Sequence, residues 1–247
     1  MLAKQPIISY TLILSQNIFF ISSEGRVLSS SEQPADRSQE LSPIFILFLV
    51  SVAGMTDASF YLHSKDLLGV YVTGDTSKMA QFLQKGDVQK VLPLLGIIAT
   101  FLASTTLAAW LGNRLGRYRA PLLLFVVALF ILATWPASAP DYPYGVVLSL
   151  VVAMGVLNQT CSNEPGVTFI TGTLVKLGRG LAGGDFRESF PLALRWLVWF
   201  AAAFVGAFLN QHAAPYALPI IAIWCLLLAL TSLFTQRVIP QHAASSD

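Results

Sequence analysis

The chain has little charge, little cysteine and little histidine. Only 11% of its 247 residues are Asp, Glu, Lys or Arg, whereas soluble domains carry about 25%. A net charge of +2 is too small and too scattered to indicate a nucleic-acid partner. The two cysteines lie in apolar runs, which argues against a disulfide framework, and the three histidines lie far apart, without metal-ligand spacing. No metal or other cofactor is therefore expected.

The sequence also lacks the motifs of an enzyme. It contains no G-x-S-x-G elbow or comparable arrangement of a nucleophile and a base. Residues 178–183 fit G-x-G-x-x-G, but they follow a membrane segment instead of a strand, so a dinucleotide-binding fold is not supported. We therefore expect no enzyme, and an intramembrane enzyme is the weakest of the functions considered.

What the chain does contain is apolar residues, which make up 55% of it and give a mean hydropathy of +0.65. They are concentrated in runs that predict an all-α integral membrane protein with six transmembrane helices. Residues 1–21 are too polar for a span and predict an interfacial segment or an unstructured leader, 22–40 predict a disordered tether, and 237–247 predict a polar tail. The six predicted spans are 41–62, 88–111, 120–135, 142–161, 190–211 and 217–234.

The chain also contains an internal repeat. A shift of 98 residues aligns Thr73-Gly74 with Thr171-Gly172. Over residues 73–121, 13 of 49 aligned positions are identical, and six of these are Gly, Pro, Lys or Asp, so shared apolar composition explains them poorly. A repeat of this size determines the architecture. It predicts two membrane repeats, 41–137 and 138–236.

Each repeat has a short polar segment between its first two spans. The segments, about 66–83 and 166–182, contain charged residues and the Thr-Gly pairs, which makes them poor candidates for full crossings. A Gly-Asp pair follows each segment, at 86–87 and 184–185, and predicts a helix start capped by the Asp. If the segments do not cross, most arginines collect on one side, which is then cytoplasmic together with both termini. The sequence thus predicts a 3+3 inverted repeat with a broken or re-entrant helical segment in each half, an arrangement found in secondary transporters.

Asp57 and Asn158 occupy matching positions, three residues after a glycine near the end of a span. A carboxylate at such a place is costly unless it is paired or hydrated. Asp57 is therefore a candidate proton or cation site or a ligand contact, and Asn158 is its neutral counterpart. The alternative is that Asp57 lies at the membrane interface, where it is solvated or caps a helix.

The Thr-Gly pairs form the second candidate site. Glycine permits a backbone break, and a helix that starts there directs free N–H groups at a polar or anionic solute. The alternative is a kink that serves only packing. Lys78 and Lys176 lie at matching places, where they can attract an anion or, as we favour, extend to lipid head groups. The predicted substrate-binding residues are Asp57, Thr73, Gly74, Asp75, Thr76, Asn158, Thr171, Gly172 and Thr173.

The V-T-G-D-T run at 72–76 and the I-T-G-T-L run at 170–174, each downstream of a glycine and an acid or amide, resemble a known family. This is the YoaK-type family of small bacterial inner-membrane proteins of unknown function. The resemblance covers about residues 42–236. It implies a bacterial inner-membrane protein with a six-helix bundle, and it implies no reaction. The family usually has Thr-Gly-Asn-Thr in the first copy, where this chain has Asp75.

We expect a small-solute transporter or permease in which Asp57 and the first Thr-Gly segment face Asn158 and the second one near the membrane midplane. The alternative function is that of a non-transporting membrane protein that stabilises or assembles a partner. The expected partners are the lipid bilayer and a small polar or anionic solute. Association into a homo-oligomer is an open alternative.

Overall fold

The structure is a computed structural model that describes residues 11–14, 17–21, 27–28, 41–64, 67, 71–135, 141–161 and 166–235. The chain divides into two compact units, 1–38 and 39–247. The first unit contains a three-stranded antiparallel sheet in the order β1, β2, β3. Its strands are β1 (Thr11–Leu14), β2 (Asn17–Ile21) and β3 (Val27–Leu28).

This sheet lies where the sequence predicts an interfacial or unstructured leader and a tether. In the pairing of β1 with β2, Thr11 is opposite Phe20. The sequences TLIL and NIFFI are rich in β-branched and aromatic residues, which favour strands. The prediction weighed only their length and polarity as a span and so overlooked this preference. The rest of residues 1–40 and the predicted tail at 237–247 lie outside the described residues.

The second unit is built from α-helices. The helices are α1 (Pro43–His63), α2 (Val72–Gln84), α3 (Val88–Leu115), α4 (Arg119–Leu132), α5 (Tyr144–Leu157), α6 (Ile170–Ala182) and α7 (Phe186–Thr235). A 3-10 turn at Gly116–Tyr118 joins α3 to α4, and α7 is broken at Ala213, where φ is −142°. We call the two parts of α7 α7a (Phe186–His212) and α7b (Ala214–Phe234).

Four helical stretches of the described residues are long and apolar enough to cross a membrane. They are α1, α3 together with α4, α7a and α7b. The apolar helix α5 has 14 residues, or about 21 Å, which is shorter than the hydrocarbon core of about 30 Å. The helices and the composition agree with the predicted helical membrane protein. The arrangement with six crossings stays a prediction.

Helices α2 and α6 are equivalent in the two repeats. Each has 13 residues, and the second begins and ends 98 positions after the first. Each is followed by a glycine with positive φ, 72° at Gly86 and 74° at Gly184. Next comes Asp87 or Asp185, whose side chain accepts a hydrogen bond from the backbone N–H three residues later. The predicted Asp caps are confirmed, and the repeated Gly-Asp pair builds the same helix–turn–helix twice.

The first helix of each repeat packs against the last helices of the other repeat. Helix α1 packs mainly against α7, and α5 packs against α3 and α4. A Cβ atom added to Gly54 would lie 2.6 Å from the carbonyl oxygen of Trp199 and 3.1 Å from Ala202. A Cβ atom added to Gly155 would meet Ser104, which lies 98 positions before Ala202. The two close approaches are therefore equivalent, and both depend on a missing side chain.

The core of the helical unit is largely aliphatic. Helices α1, α4, α5 and α7b contribute side chains without exposed surface to one hydrophobic cluster. These side chains include Leu49, Val50, Leu124, Leu150, Val151 and Ile221.

Candidate functional site

Asp57 is a buried carboxyl group within α1. The residue is 7% exposed, and its Oδ2 accepts a hydrogen bond of 2.9 Å from the hydroxyl of Tyr71. Burial raises the pKa of Tyr71 above its usual value, so the hydroxyl keeps its proton and is the donor. In the part of the chain that the structure describes, no Lys, Arg or His pairs with Asp57. A carboxyl group with one neutral donor and no counter-ion is the setting of a proton or cation site.

Tyr71 reaches Asp57 because it is the residue from which α2 starts. We refer to Asp57 and Tyr71 as the Asp57 cluster. In the first turn of α2, Asp75 is completely buried, whereas Thr73 and Thr76 are exposed. The hydroxyl of Thr76 donates to the carbonyl oxygen four residues earlier in its own helix. Of the polar residues predicted in this segment, Asp75 is therefore the one that faces the protein interior.

Asn158 forms a corresponding cluster after the end of α5. It is 4% exposed, its Nδ2 donates to Oγ1 of Thr168 at 2.9 Å, and its Oδ1 accepts from the backbone N–H of Thr168 at 3.0 Å. Gly166 has a φ of 131°, and a Cβ atom there would lie 3.0 Å from Oδ1 of Asn158. We refer to Asn158 and Thr168 as the Asn158 cluster. It is neutral, and both ends of the amide are bonded.

The two clusters lie at different distances along their helices from the junction of α1 and α5. The backbone N–H of Tyr142 donates to the carbonyl oxygen of His63 at 2.8 Å, so α1 ends where α5 begins. Asn158 follows the 14 residues of α5, about 21 Å from this point, whereas Asp57 lies about 9 Å from it. We predicted that Asp57 and Asn158 face each other in one site. The structure gives each side chain its own partner, Tyr71 or Thr168, and the shared site stays a prediction.

The second Thr-Gly pair is exposed, whereas in the first pair Thr73 is exposed and Gly74 is half-buried. Thr171 and Gly172 face outward, whereas Thr173 is buried and donates its hydroxyl to a backbone carbonyl of the preceding turn at 3.3 Å. Lys176 is exposed and Lys78 is half-buried. The inward position is thus Asp75 in one half and Thr173 in the other. That the predicted residues bind a solute stays a prediction.

A polar network that the sequence analysis missed joins α1 to α7a. Nε2 of His63 lies 3.1 Å from Oδ1 of Asn210, whose Nδ2 donates to Oγ of Ser59 at 2.6 Å and to the carbonyl oxygen of Gly206 at 2.8 Å. These two bonds fix the orientation of the amide, so Nε2 of His63 is the donor. The spacing of Ser59 and His63, four residues apart on one helix face, was the signal that could have indicated this network.

A cavity of about 410 Å³ opens beside His63. It is lined by the end of α1, by α2, by the first turns of α3 and by residues 141–144. The ring of Tyr142 lies against that of His63, with 4.6 Å between the ring centroids. Lys90 and Asp141 bring charge to the cavity. None of its lining residues was a predicted site residue, because they come from four separate segments.

The residues that the structure describes form no metal-ligand cluster. No group of three or more His, Cys, Asp or Glu side chains in 41–64, 71–135, 141–161 and 166–235 is arranged to hold a metal ion. The site chemistry of the described residues is therefore that of hydrogen bonds, of the buried carboxyl groups of Asp57 and Asp75, and of exposed charge.

Comparisons with known proteins identify the family. Residues 45–231 match the profile of a family described as "Protein of unknown function (DUF1275)". The UPF0700 transmembrane protein RA0705 of Rhizobium meliloti (strain 1021) is 30% identical over 185 residues, which are 72% of this chain and 80% of that protein. No solved structure matches the chain significantly. These matches confirm the resemblance inferred from the Thr-Gly segments, and the chain belongs to this family of membrane proteins of unknown function.

Proposed function

We propose that the chain is a small-solute transporter of the bacterial inner membrane, in which Asp57 binds a proton or a cation during the transport cycle. The observation that carries this proposal is the buried carboxyl group of Asp57, held by Tyr71 inside an apolar helix, with no cationic partner among the described residues. Burying an unpaired charge costs several kcal/mol. A residue that only had to pack or accept a hydrogen bond here could be neutral, as Asn158 is.

The proposal includes six crossings arranged as a 3+3 inverted repeat. The meeting of the end of α1 with the start of α5 supports it, because these equivalent helices then run in opposite directions. Gly54 lies against Ala202 and Ser59 lies against Asn210, so α7a runs in the same direction as α1. In the other half, Tyr144 lies against Pro93 and Gly155 lies against Ser104, so α5 runs in the same direction as α3. Both ends of the helical unit then lie on one side, which we propose is cytoplasmic.

The two polar clusters fit such a cycle as the polar groups of two alternately opened sides. Measured along their helices, Asp57 lies about 9 Å and Asn158 about 21 Å from the junction of α1 with α5. In this proposal the structure represents a closed state. Opening would require one helical hairpin, α2–α3 or α6–α7, to move relative to α1 and α5, as repeats move in other transporters.

Proteoliposomes containing the purified chain test the proposal. They would be loaded with a pH-sensitive dye and exposed to panels of amino acids, sugars, carboxylates and nucleosides, with an imposed proton or sodium gradient. The wild type is expected to couple movement of one solute class to that of a proton or Na⁺. Asp57→Asn is expected to reduce coupled flux by at least about tenfold, since it cannot take up a charge.

Glu188→Gln is the matched control, because Glu188 is an exposed carboxylate outside both clusters. It should leave flux unchanged. Tyr71→Phe removes only the donor to Asp57 and should shift the pH dependence of flux without abolishing it. Absence of flux from every panel, or equal coupled flux in wild type and Asp57→Asn, would overturn the proposal. A stoichiometric partner that co-purifies while flux is absent would instead favour the assembly function.

A further inference from the structure

We propose that the cavity beside His63 binds a small zwitterion, a molecule with an ammonium group and a carboxylate or phosphate on a partly apolar body. Its volume of about 410 Å³ is within the range of small-molecule sites, about 300–1,000 Å³. The cavity shares no lining residue with the Asp57 cluster or the Asn158 cluster. The inference also does not rest on transport, because it concerns binding alone.

Lys90, in the first turn of α3, supplies the positive charge. Its Nζ lies 3.0 Å from Oδ2 of Asp87 and 5.3 Å from the ring centroid of Phe82. The side chains of Lys90 and Asp87 are 62% and 34% exposed, and exposed ion pairs contribute little to stability. Lys90 can therefore turn from Asp87 to an anionic group at little cost. The N-terminal end of the α3 dipole adds to the same positive potential.

Asp141 and the end of α1 supply the complementary charge. The Asp141 carboxylate lines the cavity together with His63 and Ser64, which lie at the carbonyl end of the α1 dipole. Pro93 has no N–H to donate to the carbonyl oxygen of Gln89, four residues earlier, so that oxygen loses its usual helical donor. These acceptors suit an ammonium group. A cavity with cationic and anionic ends fits a zwitterion better than a simple anion or cation.

Tyr142 adds a polar group to the cavity wall. The residue is 7% exposed and lines the cavity. Its hydroxyl can therefore exchange a hydrogen bond with a polar atom of a ligand. The ring is fixed by its contact with His63, which Asn210 holds in turn. The remaining walls are largely aliphatic and aromatic and suit an apolar body.

The zwitterion has two sources. One is a free amino acid, and the other is the ethanolamine phosphate head group of a membrane phospholipid. Both present an ammonium group a few atoms from an anionic oxygen. The cavity lies at the end of a candidate span, where it can be reached from water or from the lipid head groups. The experiment must therefore separate the two sources.

The full chain, purified in detergent without ethanolamine lipid, would be titrated with leucine and with two analogues, leucine methyl ester and N-acetyl-leucine, which keep only the ammonium or only the carboxylate. Calorimetry and ligand-induced thermal stabilisation measure the affinities. The lipid arm uses nanodiscs of phosphatidylglycerol with increasing phosphatidylethanolamine. We expect the zwitterion, free or as a head group, to bind about tenfold or more tightly than either single-charge analogue.

Lys90→Gln is expected to weaken binding by about ten- to a hundredfold, and Tyr142→Phe by about three- to tenfold. Lys85→Gln is the matched control, because Lys85 is an exposed lysine at the end of α2 that does not line the cavity. Tyr142→Phe keeps the ring and removes only the hydroxyl, so it tests the site without emptying the packed wall.

Three results would overturn the inference. They are no stabilisation by leucine or by the ethanolamine head group, equal affinity for the zwitterion and its single-charge analogues, and binding unaffected by both Lys90→Gln and Tyr142→Phe. Binding of a zwitterion without any flux in proteoliposomes would leave this site in place and count only against transport. Flux without binding at this cavity would count against the zwitterion site and leave the transport proposal in place.

Discussion

The two halves of the helical unit repeat the same order of helices and turns. They differ in the polar side chain that each buries three residues after its close helix contact, which is at Gly54 in one half and at Gly155 in the other. The first half buries Asp57, bonded to the hydroxyl of Tyr71, and the second buries Asn158, bonded to Thr168. Phe169 stands at the position equivalent to Tyr71 and has no hydroxyl to offer. The scaffold therefore accepts a neutral residue at this place. The charge in the first half is a property of the site and not a requirement of the fold.

The close approach of helices in the two halves should show the largest difference. Gly54→Ala is expected to destabilise the protein by about 2–3 kcal/mol, because its Cβ would press on the backbone oxygen of Trp199, which cannot move alone. Gly155→Ala should cost less, about 1 kcal/mol, because its Cβ meets the side chain of Ser104. Thermal unfolding in detergent would measure both.

The second variant has an internal rescue. Ser104→Ala places an alanine opposite residue 155, as Ala202 stands opposite Gly54. The double variant Gly155→Ala with Ser104→Ala should therefore recover most of the stability that Gly155→Ala alone loses. Gly172→Ala is the control, because no atom lies within 4 Å of its added Cβ and α6 should gain slightly from alanine. Equal losses for Gly54→Ala and Gly155→Ala, with no rescue, would show that the two contacts are not related as described.

The polar clusters should respond in opposite ways. Asn158→Leu leaves the buried backbone N–H and hydroxyl of Thr168 without their partner and should destabilise by about 1–3 kcal/mol. Asp57→Asn keeps an acceptor for Tyr71 and removes a buried charge, so stability should change by less than about 1 kcal/mol while coupled flux is lost. Unfolding and flux measured on the same preparations would separate these effects. A large loss of stability in Asp57→Asn would assign Asp57 a structural role.

The turns after α2 and α6 should respond equally. Gly86 and Gly184 have φ values of 72° and 74°, and a Cβ atom at either position would meet nothing within 4 Å. Alanine at either position therefore costs only backbone strain, about 1–2 kcal/mol. Gly86→Asn should recover part of the loss, because Asn tolerates this conformation better than Ala. Costs that differ by more than about 0.5 kcal/mol would mean that the two hairpins are held by different contacts.

Much of the repeated fold was predictable because backbone chemistry repeats in the sequence. The Gly-Asp pairs at 86–87 and 184–185 determine a positive φ followed by a capped helix, which local sequence specifies. Gly54 and Gly155 were recognisable in the sequence as a matched pair. The residues that they contact were not, because Trp199 and Ser104 lie in helices of the other repeat. The strands at 11–28 were missed because their short apolar runs were weighed only as membrane segments.

The candidate sites show the same limit. Asp57 stood out in the sequence because it interrupts an apolar run, but its partner Tyr71 did not, since the intervening chain length says nothing about a side-chain contact. The convergence of Asp57 with Asn158 was predicted from sequence symmetry alone and stays a prediction. The structure shows that each side chain is bonded by a residue of its own repeat, Tyr71 or Thr168. The cavity residues come from four segments, so only tertiary structure could assemble them.

The smallest expected difference concerns the two Asp caps. Lys90 stands three residues after Asp87, whereas Glu188 stands at the equivalent place after Asp185. The hydrogen bond from Lys90 lowers the pKa of Asp87 below its usual value. Since the folded state holds the deprotonated form, this interaction stabilises the protein above the usual pKa of Asp, about 3.9, and is lost as the pH falls through the lower folded value. Thermal unfolding between about pH 6 and pH 3 would measure it. Lys90→Glu should make thermal stability less dependent on pH in this range, and Glu188→Lys should create a similar dependence at Asp185. If neither variant changes the pH dependence, the exposed pair contributes nothing measurable to stability, as is the case for many surface pairs.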